Sequence, residues 1–482
     1  MTPITRGISN RWQAEGGYRQ VLFLAIPLIF STGAWAVQHF VDRMFLAWLS
    51  PTAIAAAMPA GALNFAFVSL FLGTAIYVNT FVAQYFGAKM DDRIGPSLWQ
   101  GLYVALIAGL LHLTLIPLAG FFFGLAGHDP DIQKLEVEYF QILCLGTGPI
   151  VASAAMSGFF SGRGKTWPVM WVNCIATGVN IILDYVMIFG HWGFPALGIR
   201  GAAGATVLSA CFTFFVYLFM ILRSQHEKRY RTRSGWRLDP SLFKRLLRFG
   251  LPNGVQFFLD MIGFTIFILL VGRLGVIELA ATNIALNINN LAFMPMIGFG
   301  MAVSVLVGQN MGKNEPDLAE RSVYSGFHLT FIYMAGIALA YVLIPGLFIW
   351  PFTAQAEQAS FVPIQDMTVI LLRFVAIYCV FDTMNIIFAS GVKGAGDTRF
   401  VMFMVIVFAL LGLALPTYIA LGLFNQGIYT AWIIFTVWVS LLGFAFLFRF
   451  LGGKWKTMSV IEMARPTLPG SIPGRQFTAS KP

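Results

Sequence analysis

The 482 residues carry 11% charged against 58% hydrophobic side chains, with a mean hydropathy of +0.75 and a formal net charge of +10. That balance excludes a soluble globular chain, and the unbroken rather than alternating apolar runs exclude an outer-membrane barrel, which leaves an all-α polytopic membrane protein. The excess of Lys and Arg sits in the loops of one membrane face, so a nucleic-acid-binding protein, which needs a basic soluble surface, is excluded too.

Residues 1–20 hold Arg6, Arg11 and Arg19 without an apolar h-region or a small-residue cleavage site, and read as a cytoplasmic N-terminus rather than a cleaved signal. Apolar runs then predict twelve spans near 21–45, 53–82, 98–124, 139–160, 167–189, 201–222, 249–272, 280–307, 323–350, 367–391, 400–422 and 428–450. With the N-terminus inside, Lys89, Arg93, Arg163, Lys165, Lys313, Arg321, Lys393 and Arg399 are cytoplasmic. Only Arg43, Lys134, Arg200 and Arg273 lie outside, the asymmetry that the positive-inside rule requires. The expected location is the cytoplasmic (inner) membrane, with both termini cytoplasmic.

Between spans six and seven, residues 223–248 form a basic cytoplasmic linker whose nine Lys and Arg face only Glu227 and Asp239; such a segment orients the chain and touches anionic headgroups. After span twelve, residues 451–482 acquire Pro466, Pro469, Gly470 and Pro473, and are expected to be a disordered, dispensable tail. Cys144, Cys174, Cys211 and Cys379 stand singly in apolar runs and read as buried thiols. His39, His112 and His328 share no spacing that suggests a metal.

The chain is built twice. A shift of 225 residues carries Pro27, Asn64, Gly73, Gln84 and Gly87 onto Pro252, Asn289, Gly298, Gln309 and Gly312. Later the register slips by several residues, and Gly162-Arg163-Gly164-Lys165-Thr166 meets Gly394-Ala395-Gly396-Asp397-Thr398. Each lobe therefore has six helices, residues 21–222 and 249–450. An even number gives both lobes the same orientation, related by a pseudo-two-fold axis along the membrane normal with a cleft between them. The Gly-rich turn after span four is no P-loop, since Gly158 lies one residue too far from Gly164 and no strand precedes it.

Four acids fall inside the predicted spans: Asp42, Asp184, Asp260 and Asp382. A charged side chain in hydrocarbon costs ~2.5–3.5 kcal/mol on insertion scales and marks a functional site by default. Unlike the scaffold they do not repeat, because Asp42 maps to Phe267 and Asp260 back to Trp35. Asn180 and Asp184, four apart, share a helix face, and Thr206 and Asp42 are candidates to complete an oxygen cage. Such a set suits a hard cation, Na⁺ for example, or carries a proton on a desolvated carboxyl. Trp35, Phe257 and Phe264 near the acids are candidate cation–π faces for a substrate.

Pro27 with Asp42, Pro252 with Asp260, and Asp382 with the Lys393-Gly394-Ala395-Gly396-Asp397-Thr398 turn together resemble the multidrug and toxic compound extrusion (MATE) transporters, NorM-like branch, over roughly residues 18–450. The resemblance implies a cation-coupled antiporter exporting organic cations and other drugs in exchange for Na⁺ or H⁺. Asp42, Asn180, Asp184 and Thr206 match the N-lobe cation site, with Tyr139 as neighbour, and Asp260 with Asp382 match the C-lobe acids. Two residues depart from the pattern. The span-seven acid is often Glu and here is Asp260, and Arg43 directly follows Asp42, where an outer-end ion pair is expected.

The expected mechanism is secondary antiport, with the lobes rocking between inward- and outward-open states, no cofactor beyond the coupling ion, and a monomer working among membrane lipids. The alternative is a flippase of a lipid-linked precursor on a related two-lobe fold, which calls for several cleft Arg or Lys to hold diphosphate. An intramembrane enzyme is excluded by the lack of an H-E-x-x-H or nucleophile–base pattern. Asp382 and Asp260 are expected at similar depth, chelating a cation jointly or sharing a proton, while Asp397 belongs to a cytoplasmic turn.

Overall fold

The computed structural model describes residues 11–353 and 358–462. Among them are twelve helices long and apolar enough to cross a bilayer, and no strand. The N-lobe holds α1 (Tyr18–Leu49), α2 (Pro51–Gly87, interrupted at Tyr77), α3 (Ile94–Leu115), α4 (Pro130–Ser161), α5 (Thr166–Phe189) and α6 (Ile199–Ile221). The C-lobe holds α7 (Pro240–Gly272), α8 (Val276–Gly312), α9 (Pro316–Leu343), α10 (Phe361–Ala395), α11 (Thr398–Leu423) and α12 (Ile428–Leu451).

Several helices outrun their apolar stretches. Helices α4 and α7 begin nine residues before the predicted 139 and 249, because capped polar turns extend them. The Asp129 carboxylate accepts from Asp131 N–H (2.9 Å), and Asp239 accepts from Ser241 and Leu242 N–H (3.1 Å each), with proline in the first turn of both helices. On α6, Leu208, Phe212, Phe215 and Phe219 form an exposed stripe at steps of four, three and four residues, a face that lipid covers.

Three apolar cores fix the lobe arrangement. One lies at the end of the bundle bearing most of the basic turns and draws on both lobes, from Leu24, Phe81 and Phe159 to Leu306, Phe388 and Phe450. Toward the opposite end the lobes have separate cores, one around Phe45, Ala60 and Phe140 and the other around Phe267, Val375 and Trp432. The lobes thus join at one end and part toward the other.

The joint is two-fold related. A Cβ on Gly73 would lie 2.7 Å from Gly254 Cα, and one on Gly298 would lie 2.8 Å from Ile29 N, positions that the 225-residue shift interchanges. Gln309 donates to the Gly162 carbonyl (2.8 Å), and its mate Gln84 donates to the Gly394 carbonyl (3.0 Å). The polar matches of the repeat are therefore the contacts that close the seam.

The basic linker and the first part of the expected tail are ordered. Residues 240–248 of the linker belong to α7, and the preceding stretch covers the N-lobe. There Thr232 and Tyr230 are buried, Trp99 Nε1 donates to the Thr232 carbonyl (2.8 Å), and Arg229 pairs with Asp91 (2.7 Å). The Arg233 backbone N–H bonded to Glu227 holds that carboxyl below its usual range. In the segment expected as a disordered tail, residues 451–462 are ordered and Trp455 is fully buried, because its ring stacks on Phe450 at 5.1 Å. The Pro- and Gly-bearing remainder, on which that expectation rested, lies outside the described residues.

Candidate functional site

Helices α1 and α5 are seamed by a polar ladder. Asn173 Nδ2 donates to Ser31 Oγ (2.5 Å) and Thr177 Oγ1 to the Ala34 carbonyl (3.3 Å). Above them, the Asn180 amide, with its nitrogen oriented toward the acids by the hydrogen-bond network, donates to Asp42 Oδ1 (3.0 Å) and Asp184 Oδ2 (3.2 Å), beside the Gln38 amide. Ser31, Ala34, Gln38 and Asp42 step along α1 by three or four residues, as do Asn173, Thr177, Asn180 and Asp184 along α5. The ladder is thus two facing helical stripes.

At its far end the Asp42 and Asp184 carboxyls lie within hydrogen-bond reach of each other. Asp42 is 9% exposed, Asn180 and Asp184 fully buried, and buried Tyr139 adjoins both acids. Asp184 Oδ1 is a buried oxygen without a partner among the described residues. Neither acid takes part in an ion pair among the described residues, and Arg43, expected to pair with Asp42, is exposed and acts only through its field. Two unit charges ~4 Å apart repel by ~4 kcal/mol at an effective dielectric of ~20, so the pair calls for a proton or a cation between its members. Among the described residues no three His, Cys, Asp or Glu converge, so a bound cation would depend on these two carboxylates plus neutral oxygens. Thr206 supplies none of them through any contact seen here: its hydroxyl donates to the Ala202 carbonyl on its own helix (3.1 Å).

The C-lobe acids are arranged differently. Asp260 on α7 accepts from Gln256 Nε2 (3.3 Å), and Gln256 Oε1 accepts from Lys393 Nζ (3.2 Å). Asp382 on α10, 7% exposed, accepts from Asn385 Nδ2 (3.0 Å). The two acids sense each other's charge without a direct bond, and Lys393 adds its positive charge to Asp260. Lys393 was expected in a cytoplasmic turn. Helix α10 instead runs on to Ala395, which turns the lysine into the lobe. Asp397, the turn acid, is 6% exposed and bonded to Arg449 (2.6 Å), whose guanidinium stacks over Phe400 at 4.4 Å. In α11, the π-helical stretches Phe408–Ala414 and Ile419–Leu423 leave irregular backbone, the first of them beside α7.

Between the lobes, half-exposed Trp35 faces Phe65 (ring centroids 6.0 Å), which meets Phe257 of the C-lobe edge-on (5.9 Å). These rings bridge the lobes next to the polar ladder, while Phe264 packs on the C-lobe core. Sequence reading missed Gln38, Asn173 and Thr177 although the polar period on α5 carried the signal. For Lys393 no local signal existed.

A two-lobed bundle of twelve apolar helices, with buried acids in each lobe and a seam closed at one end, has the architecture of a membrane transporter. The MatE family model matches residues 27–186 and 252–418, one stretch in each lobe. The chain belongs to this family, the MATE transporters, on its NorM-like side. It is 30% identical to a probable multidrug resistance protein NorM of Bradyrhizobium diazoefficiens, over 82% of this chain and 83% of that one. It is 29% identical to the multidrug resistance protein PmpM of Pseudomonas aeruginosa, over 87% and 86%. In fold it is similar to a multidrug resistance MATE family transporter of the MOP superfamily in its outward-facing conformation (TM-score 0.83, 19% identity, covering 94% of this chain and 99% of that one).

Proposed function

We propose that the protein is a secondary antiporter that exports organic cations and other drugs across the cytoplasmic membrane in exchange for Na⁺ or H⁺, with both termini cytoplasmic. The observation that carries this reading is the Asp42–Asn180–Asp184 cluster, two buried carboxyls bridged by one amide, with no ion-pair partner and one unpartnered oxygen among the described residues. An ion that relieves their repulsion stabilises whichever lobe conformation keeps them together, and a drug that favours the other conformation drives the ion off. The seam closed at the basic end and the aromatic chain Trp35–Phe65–Phe257 suit an outward-open state whose cleft floor offers π faces to a cation. Asp260 and Asp382 serve as the C-lobe counter-charges, with Lys393 tempering the first. A flippase for a diphosphate-bearing lipid would want several cationic side chains, whereas the polar groups of these sites, among the described residues, are carboxylates, amides, hydroxyls and one lysine. The working unit is a monomer among lipids.

The test is dye efflux from proteoliposomes with Na⁺ and pH gradients imposed separately. Efflux driven by one gradient supports the antiporter and identifies its ion. A protein that moves dye only with ATP, or at the same rate with neither gradient, is not this antiporter.

A further inference from the structure

The chain past α12 fastens to one lobe and then crosses the seam. Trp455 Nε1 donates to the Phe450 carbonyl (2.8 Å), and Lys456 Nζ bonds Glu320 (2.5 Å) and Asp317 (3.4 Å) at the start of α9, which anchors the segment on the C-lobe. The next residues reach the N-lobe. Gln84 Oε1 accepts from Val460 N–H (2.9 Å) and Ser459 Oγ (3.1 Å), while Gln84 Nε2 holds the Gly394 and Ala395 carbonyls (3.0 and 3.3 Å). Val460, 1% exposed, lies against Gly396. The Glu462 carboxylate then bonds Arg93, ahead of α3, at 3.2 Å, and Arg245 of α7 at 2.5 Å, so one side chain ties both lobes.

The pseudo-symmetry shows what is special here. Gln309, the mate of Gln84, makes the matching carbonyl bond, but the chain that follows α6 turns back onto its own lobe. Among the described residues only Gln84 of the two seam glutamines is overlaid by a strap, so the strap is not demanded by the fold's repeat. Each of its contacts with Gln84 and Arg93 has to break when the lobes part at this end.

We infer that residues 455–462 are a latch: a C-lobe-anchored strap that holds the closed end shut and whose release from Gln84 and Arg93 sets how often that end opens. The inference rests on the alternating movement of the lobes proposed above, but on neither the ion nor the substrate. Exposed ion pairs contribute little, so the two bonds to the buried Gln84 amide and the burial of Val460 dominate its hold.

The test uses a cysteine at Thr80, 3% exposed at the seam, in protein whose four native cysteines are replaced. Modification by a membrane-impermeant maleimide reports opening. Val460→Pro, which deletes the N–H offered to Gln84, and truncation after Thr457, which keeps the Trp455 and Lys456 anchor, should each raise the modification rate roughly ten-fold, the change that ~1.4 kcal/mol produces. Truncation after Glu462 should leave it unchanged. Gel filtration and thermal melting establish that the variants fold. Unchanged modification in folded Val460→Pro and in the Thr457 truncation overturns the latch while alternation stands. If substrate never alters Thr80→Cys modification in the otherwise intact chain, both the alternating reading and the latch fall.

Discussion

Replacing Gly73 by alanine puts a methyl carbon 2.7 Å from Gly254 Cα, 3.1 Å from the Asn253 carbonyl oxygen and 3.2 Å from Gly254 N, all backbone atoms of the other lobe. Carbon atoms are at ease near 3.5–4.0 Å, so α2 and α7 must separate by about 1 Å at this level. No side-chain rotation relieves the overlap, and overpacking of this kind costs ~1–3 kcal/mol. Only the conformation with the seam shut bears that cost. The two-state equilibrium should therefore move by roughly 5–150-fold toward the state open at the basic end. Spin labels on cysteines at exposed Asp92 and Lys313, on opposite sides of the seam, report the populations by pulsed dipolar spectroscopy. Gly33→Ala is the control, because a Cβ there meets nothing within 4 Å. The two-fold mate Gly298→Ala, whose Cβ meets Ile29 N at 2.8 Å, should reproduce the Gly73 result. Distance distributions identical to the unmodified protein in both variants would refute the seam as the moving joint.

Asp397→Asn leaves Arg449 without its partner and, with the arginine one-fifth exposed, should cost ~2–4 kcal/mol of stability; a melting temperature equal to the parent's in detergent would contradict this. Lys393→Met removes the positive charge near Asp260 and should tighten ethidium binding by roughly ten-fold, read by fluorescence anisotropy; unchanged or weaker binding would show that the lysine does not compete with cationic substrates. Cysteines at Ser224 or Ser234 should label only from the cytoplasm and one at Asn425 only from outside, since these exposed sites lie at opposite ends of the bundle; reversed labelling would invert the proposed orientation.

Much of this was legible in one dimension. The number of spans, the six-helix repeat and the four span acids follow from hydropathy and from a fixed register, because a bilayer imposes length and polarity on each helix separately. Matched Gln84 and Gln309 were visible as repeat partners, yet only the assembled seam reveals that each caps the C-terminal end of the fourth helix of the opposite lobe. Lys393 was misplaced because helix α10 extends past its apolar run, and a hydropathy boundary does not tell a turn from a last helical turn. Residues 451–462 were misread for the opposite reason. The composition that follows them is poor in core formers, but Trp455 and Val460 join the apolar core that the two lobes build together. The Asp42–Asp184 contact required α1 beside α5, an adjacency that spacing along the chain does not encode.

The central claim is that the N-lobe acid pair carries the coupling ion. It is tested most directly by reconstituting Asp184→Asn and Asp42→Asn in liposomes and comparing gradient-driven dye efflux with downhill dye equilibration. The account predicts that each variant loses the response to the Na⁺ or pH gradient, by at least about ten-fold, while still letting dye run down its own gradient, because the asparagine keeps the shape of the site and removes the charge the ion answers. Gradient-driven efflux at the parent rate in both variants would contradict it and move coupling to Asp260 and Asp382.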